Sequence, residues 1–258
     1  MGKPGKTVKN AELLRSALPA ADPQLRHYLA ALRAAPPGAA LLLLGQAGTG
    51  RSTLARLLHA RSGRPGEFVS VDCAAFPGKA LADELFGAGA AVRRRGPESG
   101  ALARAAGGTL FLDEIGAISH KVQARLLAAL AAKAVSPGLP ARPRGPVFAL
   151  ISTTRQDPQN LVEFGKLLPG FFRRLNGFSL MLKPLRERKR DIMPLIAQFS
   201  AGLRPVSFSK EAKDYLLSYN WPGNLRELKR FAELAAADSS RRPLTLEATQ
   251  HLVLWRFF

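Results

Sequence analysis

Residues 45–53, "GQAGTGRST", follow the pattern G-x-x-x-x-G-K-[ST] at every position but one: Arg51 stands where a lysine belongs. A glycine turn that opens a helix aims several backbone N–H groups at one point. The helix N-terminus adds partial positive charge there, which suits a polyphosphate. Gly45, Gly48 and Gly50 permit torsions that a Cβ resists. Gln46, Ala47 and Thr49 complete the cradle, Ser52 would hold Mg²⁺ through its hydroxyl, and Thr53 starts the helix. A second stretch, "TLFLDE", is an apolar strand ending in Asp113 and Glu114. In a nucleoside triphosphatase the first acid positions Mg²⁺ through water and the second orients the attacking water. Alone, the loop reads equally as a surface turn and the acidic pair as a helix N-cap. In this order, on a strand-turn-helix and a strand, they point to a nucleotide site. Arg51 keeps a positive charge but is planar and forked, not the compact point charge of an ammonium. The expectation is that phosphate attraction partly survives and hydrolysis suffers, because positioning and electrostatics carry nearly all of phosphoryl transfer.

Those residues need elements to hold them. "AALRAAPPGAALLLLGQAGTG" supplies a helix, a Pro-Pro-Gly break and a short apolar strand before the glycine turn, and "STLARLLHARS" follows it as a helix with Leu54, Leu57 and Leu58 on one face. "EFVSVDC" (67–73), Thr109 to Leu112, "PVFALISTT" and "FSLMLKPL" (178–185) read as further strands. "KALADELFG", ending at Gly87, and "KVQARLLAALAAK" read as helices between them. Strands alternating with helices predict a mostly parallel sheet covered on both faces. After about residue 186 the strand signals stop. "RKRDIMPLIAQFSAGL", "SKEAKDYLLSYN", "NLRELKRFAELAAAD" and "TLEATQHLVLWRFF" predict four helices, with Ser209 capping the second. The start of the chain reads as a tail followed by a short helix, and 135–146 as a Pro/Arg-rich loop.

The 258 residues, 47% of them apolar, suffice for a real core and argue against wholesale disorder. No apolar run is long enough to cross a membrane, and no apolar stretch follows the basic N-terminus, so a secretory signal is not expected. Cys73 is the single cysteine, which excludes an internal disulfide and suits a reducing, cytoplasmic setting. His27, His59, His120 and His251 are scattered and give no ligand pattern. The net charge of +19 attracts nucleic acid, acidic proteins or anionic surfaces. Its clusters (Arg93–Arg95, Arg142 with Arg144, Arg173–Arg174, and "RERKR" at 186–190) are far apart and carry few aromatics, so no base-stacking platform is visible.

Six separated motifs, "FVSVDCAAF", "ELFG", "GGTLFLDEIG", "RLN", "PLRERKRDI" and "WPGNLREL", occur in an order that resembles the central AAA+ domain of bacterial sigma-54-dependent transcription activators. The likeness runs from about residue 22 to about residue 250. It implies an α/β fold, a P-loop AAA+ parallel sheet with helices on both faces, followed by a small all-helical lid. The expected division is a tail at 1–21, a nucleotide-binding core at 22–185 and a lid at 186–258. The resemblance further implies ATP with Mg²⁺ as cofactors, a ring of self or related AAA+ subunits, and RNA polymerase with its sigma factor, or DNA, as partner. By this likeness Arg226 is the lid arginine that senses nucleotide in its own subunit, and Arg174 the second of two arginines that reach a neighbour's site.

The departures fall on functional positions. Besides Arg51, Leu168 occupies the place of the first finger arginine, Asp72 and Thr154 replace two asparagines, and Gly87 to Ala91 retains only small residues where the family places its sigma-gripping loop. Neither a receiver domain nor a helix-turn-helix domain is expected beside the core. Three readings follow: a nucleotide-binding regulator with weak or absent hydrolysis and sigma-54 contact, a fully active ATP-hydrolysing activator, and a basic interaction module that does not use nucleotide.

Overall fold

The computed structural model describes residues 40–76, 78–87, 100–131, 148–238 and 243–254. The predicted tail, the first two predicted helices with the Pro-Pro-Gly break, residues 88–91 of the small-residue segment, Arg93–Arg95 and the Pro/Arg-rich loop lie outside the described residues. The described residues form two units. One comprises 40–45 and 51–181, the other 46–50 and 182–254.

The first unit is built on five strands: β1 (Ala40–Leu44), β2 (Phe68–Asp72), β3 (Thr109–Asp113), β4 (Ala149–Thr154) and β5 (Phe178–Met181). All four pairings are parallel, in the order β2-β3-β4-β1-β5. The order explains the composition of each strand. The central β1, β3 and β4 are buried almost throughout; β1 and β3 read as nearly continuous apolar runs, as strands covered on both faces do, while β4 ends in Ser152, Thr153 and Thr154, whose hydroxyls are hydrogen-bonded. The edge strands β2 and β5 alternate buried and exposed positions or stay largely exposed. The connecting helices are α1 (Arg51–Ser62), α2 (Lys79–Phe86), α3 (Ala101–Arg104), α4 (His120–Ala131), α5 (Pro158–Glu163) and α6 (Pro169–Leu175). The short α3, α5 and α6 were not anticipated. Two of them carried a readable start: Pro stands at the first turn of α5 and of α6, and Asp157 caps α5 by accepting from Gln159 N at 2.8 Å.

Gln123, wholly buried on α4, holds the segment that leads into α6. Its Nε2 donates to Ile118 O (2.7 Å) and Lys166 O (2.8 Å), and its Oε1 accepts from Leu168 N (2.8 Å). A leucine would fill the space and strand three buried backbone groups. Gln123→Leu is expected to cost about 2–3 kcal/mol in urea unfolding, since each buried unpaired group costs about 1–3 kcal/mol.

His59 on α1 lies 2.9 Å from Thr109 Oγ1, and partial burial, reinforced by Arg64, holds its pKa below the ordinary 6.5. A depressed folded-state value means that the unfolded chain takes up the proton first on acidification. The His59 contribution to stability is therefore complete above pH 6.5 and is lost as pH falls from there through the lower folded value. Chemical denaturation at stepped pH should show this slope, and His59→Gln should flatten it.

The second unit contains α7 (Ile192–Phe199), α8 (Lys210–Ser218), α9 (Asn224–Ala237) and α10 (Leu246–Leu254). These are the four predicted helices. The first begins later than its charged run suggested, because 185–187 and 189–191 form 3-10 turns separated at Arg188, whose φ of −129° and ψ of 52° are not helical. Ser209 caps α8 as expected, accepting from Ala212 N at 3.2 Å. The core of this unit gathers Leu185, Ile192, Leu195, Phe208, Leu216, Trp221, Leu228, Phe231 and Leu244.

Candidate functional site

The carboxyl ends of parallel strands are where an open α/β sheet places its chemistry. In the first unit, Gly45 N donates to Thr154 O at 3.3 Å, and the β2–β3 register sets Asp72 beside Asp113. Glu114, the next residue, has φ 59° and ψ 62°. A non-glycine residue in this left-handed region costs about 1–2 kcal/mol, and such strain gathers at functional positions.

Arg51 is the first residue of α1 and only 7% exposed. Its guanidinium is turned to the acidic pair: Nη2 donates to Glu114 Oε1 in a close ion pair and lies 3.9 Å from Asp113 Oδ1. Arg155 Nε donates to the same Glu114 oxygen at 2.9 Å. Thr153 Oγ1 donates to Asp113 Oδ1 and accepts from Glu114 N at 3.1 Å. Arg51 Nη1 is buried and has no hydrogen-bond partner among the described residues. Thr153 and Arg155 were missed in the sequence, though "STTRQ" at the end of an apolar strand was a signal for them. Thr154, singled out instead, spends its hydroxyl on Gln156, donating to O and accepting from N at 3.1 Å each. Asp72 accepts from Ala74 N at 3.0 Å and so closes its own turn. Cys73 is buried beside these carboxylates. Burial first, then the charges of Asp72, Asp113 and Glu114, push its thiol far up, so it is no nucleophile.

The remaining predicted positions of this unit are placed as follows. Ser52 is exposed and Thr53 half-buried on the first turn of α1. Leu168 packs against the core, and Arg174 sits in the last turn of α6.

In the second unit, which contains loop residues Gln46, Ala47, Gly48, Thr49 and Gly50, the carbonyls of Ala47, Gly48 and Thr49 are bound to the helical part. Thr49 Oγ1 donates to Gln46 O (2.8 Å), Asn224 Nδ2 to Ala47 O (2.9 Å), Leu225 N to Gly48 O (2.9 Å) and Arg188 Nη2 to Thr49 O (3.0 Å). Arg186 Nη1 also donates to Gln46 Oε1 at 3.0 Å. A trans peptide sets its C=O and the following N–H in opposite directions. The N–H groups of Gly48 and Gly50 therefore turn away from these partners, as a phosphate cradle requires. Gly48, with φ +76°, approaches Gly223 so closely that a Cβ would lie 2.2 Å from its carbonyl oxygen. Asn224, itself at φ 52°, also accepts from Leu185 N at 2.8 Å through Oδ1, fastening the loop and the start of the lid together. These roles for Arg186, Arg188 and Asn224 had no local signature.

Beside Ala47 and Gly48 the same unit has a cavity of about 420 Å³. Phe231, Leu252 and Val253 give it apolar walls, and the exposed Arg226 and Arg230 stand at it. Glu227, also lining it, is held by Gly223 N (2.6 Å) and Tyr219 Oη (3.2 Å). Apolar walls with a few fixed polar groups suit a flat heterocycle bearing a polar tail.

A parallel sheet in this order, with a glycine loop after central β1, an acidic pair after β3 and a helical lid, defines a P-loop protein of the AAA+ class. Residues 20–181 match the sigma-54 interaction domain and residues 186–252 the AAA+ ATPase lid domain, so the chain belongs to the sigma-54 interaction domain family of transcriptional activators. It is 38% identical over 224 residues to the sigma54-dependent transcriptional activator SfnR of Pseudomonas putida, covering 81% of this chain and 60% of that one. It is 36% identical over 213 residues to the Nif-specific regulatory protein of Herbaspirillum seropedicae, covering 79% and 39%. The chain thus spans less than two thirds of the length of these relatives. Its fold matches crystal structures of NtrX from Brucella abortus in complex with ADP (TM-score 0.74, 28% identity) and with ATP (0.75, 27%). Each match covers 94% of this chain and 56% of that one. No described helix is long and apolar enough to cross a membrane.

Of the residues assigned from the sequence to Mg²⁺, Ser52 is exposed on the first turn of α1, whereas Asp113 does not present an open carboxylate to a divalent cation in this arrangement. Asp113 Oδ1 accepts from Thr153 and faces the Arg51 guanidinium, and Glu114 is paired with two guanidiniums. Both acids therefore already face guanidiniums, and a metal would have to displace Arg51 or Arg155 to reach them.

Proposed function

We propose that this chain is a nucleotide-binding AAA+ domain of a sigma-54-type regulator that captures ATP and turns it over slowly or not at all. The observation that carries this reading is the Arg51–Glu114 ion pair, joined by Arg155. Glu114 is the residue that would orient the attacking water, and a carboxylate held by two cations is a poor acceptor for that water's hydrogen. Binding is supported by the carbonyl-anchored loop and the cavity beside it, which is also lined by Arg226, the residue assigned to sense nucleotide. The nucleotide-bound NtrX structures agree with it.

Arg174 would reach a neighbouring subunit's nucleotide in a ring, with Leu168 leaving the first finger position without charge. The small residues after "ELFG" leave no aromatic or threonine for a sigma factor, so this chain is proposed not to open sigma-54 promoters by itself. Family membership favours a second reading, full ATP hydrolysis with sigma-54 activation. Parallel ATP-binding and phosphate-release assays separate the two. Binding with negligible release is the expected result. Brisk release that Glu114→Gln abolishes would establish the second reading, and absence of binding would leave only a basic interaction module.

A further inference from the structure

We infer that Arg51 itself bridges the nucleotide's phosphates to the Asp113–Glu114 pair, so that the ligand of this chain is a nucleoside triphosphate free of divalent cation. The inference rests on the nucleotide-binding reading and adds to it the chemical form of the ligand.

Three observations carry it. Arg51 is 7% exposed, and its fork is divided: Nη2 is taken by the carboxylates, whereas Nη1 is buried with no acceptor among the described residues. A buried guanidinium N–H without an acceptor is costly, so a native protein keeps one where a ligand supplies the acceptor. The residue opens the helix that follows the phosphate loop in the chain, and a guanidinium fork is a strong donor pair for an anionic oxygen. Finally, both acids already face guanidiniums, so a metal would have to displace a cation to reach them, while a metal-free triphosphate brings more negative charge to the same fixed cation. A compact ammonium at position 51 would bind phosphate without spanning both partners, and the acids would again be available to a metal.

The test is a titration of the full chain with ATP at constant ionic strength, once with excess Mg²⁺ and once with EDTA. For the unaltered chain the Kd is expected to differ by less than about threefold between the two media, under 1 kcal/mol. Arg51→Lys should tighten at least tenfold when Mg²⁺ is added, a difference of about 1.4 kcal/mol. Arg51→Met should lose affinity in EDTA. Circular dichroism confirms that each variant is folded. If the unaltered chain tightens threefold or more with Mg²⁺, or if Arg51→Lys is as indifferent to the metal as the parent, the bridge is wrong while nucleotide binding stands. If neither chain binds ATP in either medium, the nucleotide-binding reading itself fails, and this inference with it.

Discussion

Arg51→Lys should raise steady-state phosphate release by about 100- to 1,000-fold, the range associated with gaining or losing one well-placed donor to the developing charge in a transfer site. Two changes act together. The lysine ammonium is a compact charge that sits on phosphate without a second arm. The Nη2 hydrogen bond to Glu114 disappears, and the carboxylate is left with Arg155 alone, which is 57% exposed and therefore screened by solvent. The gain should be larger in Arg51→Lys combined with Arg155→Ala than in either change alone, because both cations hold one oxygen. A malachite-green assay under saturating Mg-ATP reads the rate directly. Unchanged turnover in a variant that binds ATP would move the defect elsewhere, with Leu168 at the finger position the next place to look.

Trp221→Ala should destabilise the helical unit by about 3–5 kcal/mol, the range for emptying a large aromatic from a core. Trp221 is fully buried, its indole Nε1 donates to Leu216 O at 3.0 Å, and its ring meets Tyr219 and Phe231 edge to face with centroids 5.1 and 5.7 Å away. The substitution opens a cavity, leaves a buried carbonyl without its donor, and keeps the unfavourable φ of 46° that the turn imposes. The same turn delivers Asn224 to the phosphate loop, so the loss should reach ligand binding as well. Urea unfolding followed by far-ultraviolet circular dichroism, together with an ATP titration, checks both. A loss below about 1 kcal/mol would mean that the core of this unit is not organised around the indole.

The linear sequence already contained the architecture. Nearly continuous apolar runs announced β1 and β3, since a strand covered on both faces has little polar side to show, and the apolar start of β4 announced that strand too. Glycines marked the loop because Gly45, Gly48 and Gly50 all have positive φ there. The acidic pair fell at the end of a strand, and helical periodicity returned four helices after residue 186. Each of these is a local rule, written in neighbours a few positions apart.

What the tertiary structure decided was where long side chains end. Arg51 and Glu114 are 63 positions apart, Asn224 and Ala47 177, and Arg188 and Thr49 139. An arginine carries several free torsions, and its type says that it is charged without saying which charge it meets. Only parallel pairing of β1, β3 and β4 brings Arg51, Asp113, Thr153 and Arg155 to one edge of one sheet, and there the arginine at the lysine position of the loop pattern pairs with the two acids. Periodicity reports which face of an element is buried. The partner of a polar head depends on distances between elements that periodicity does not contain.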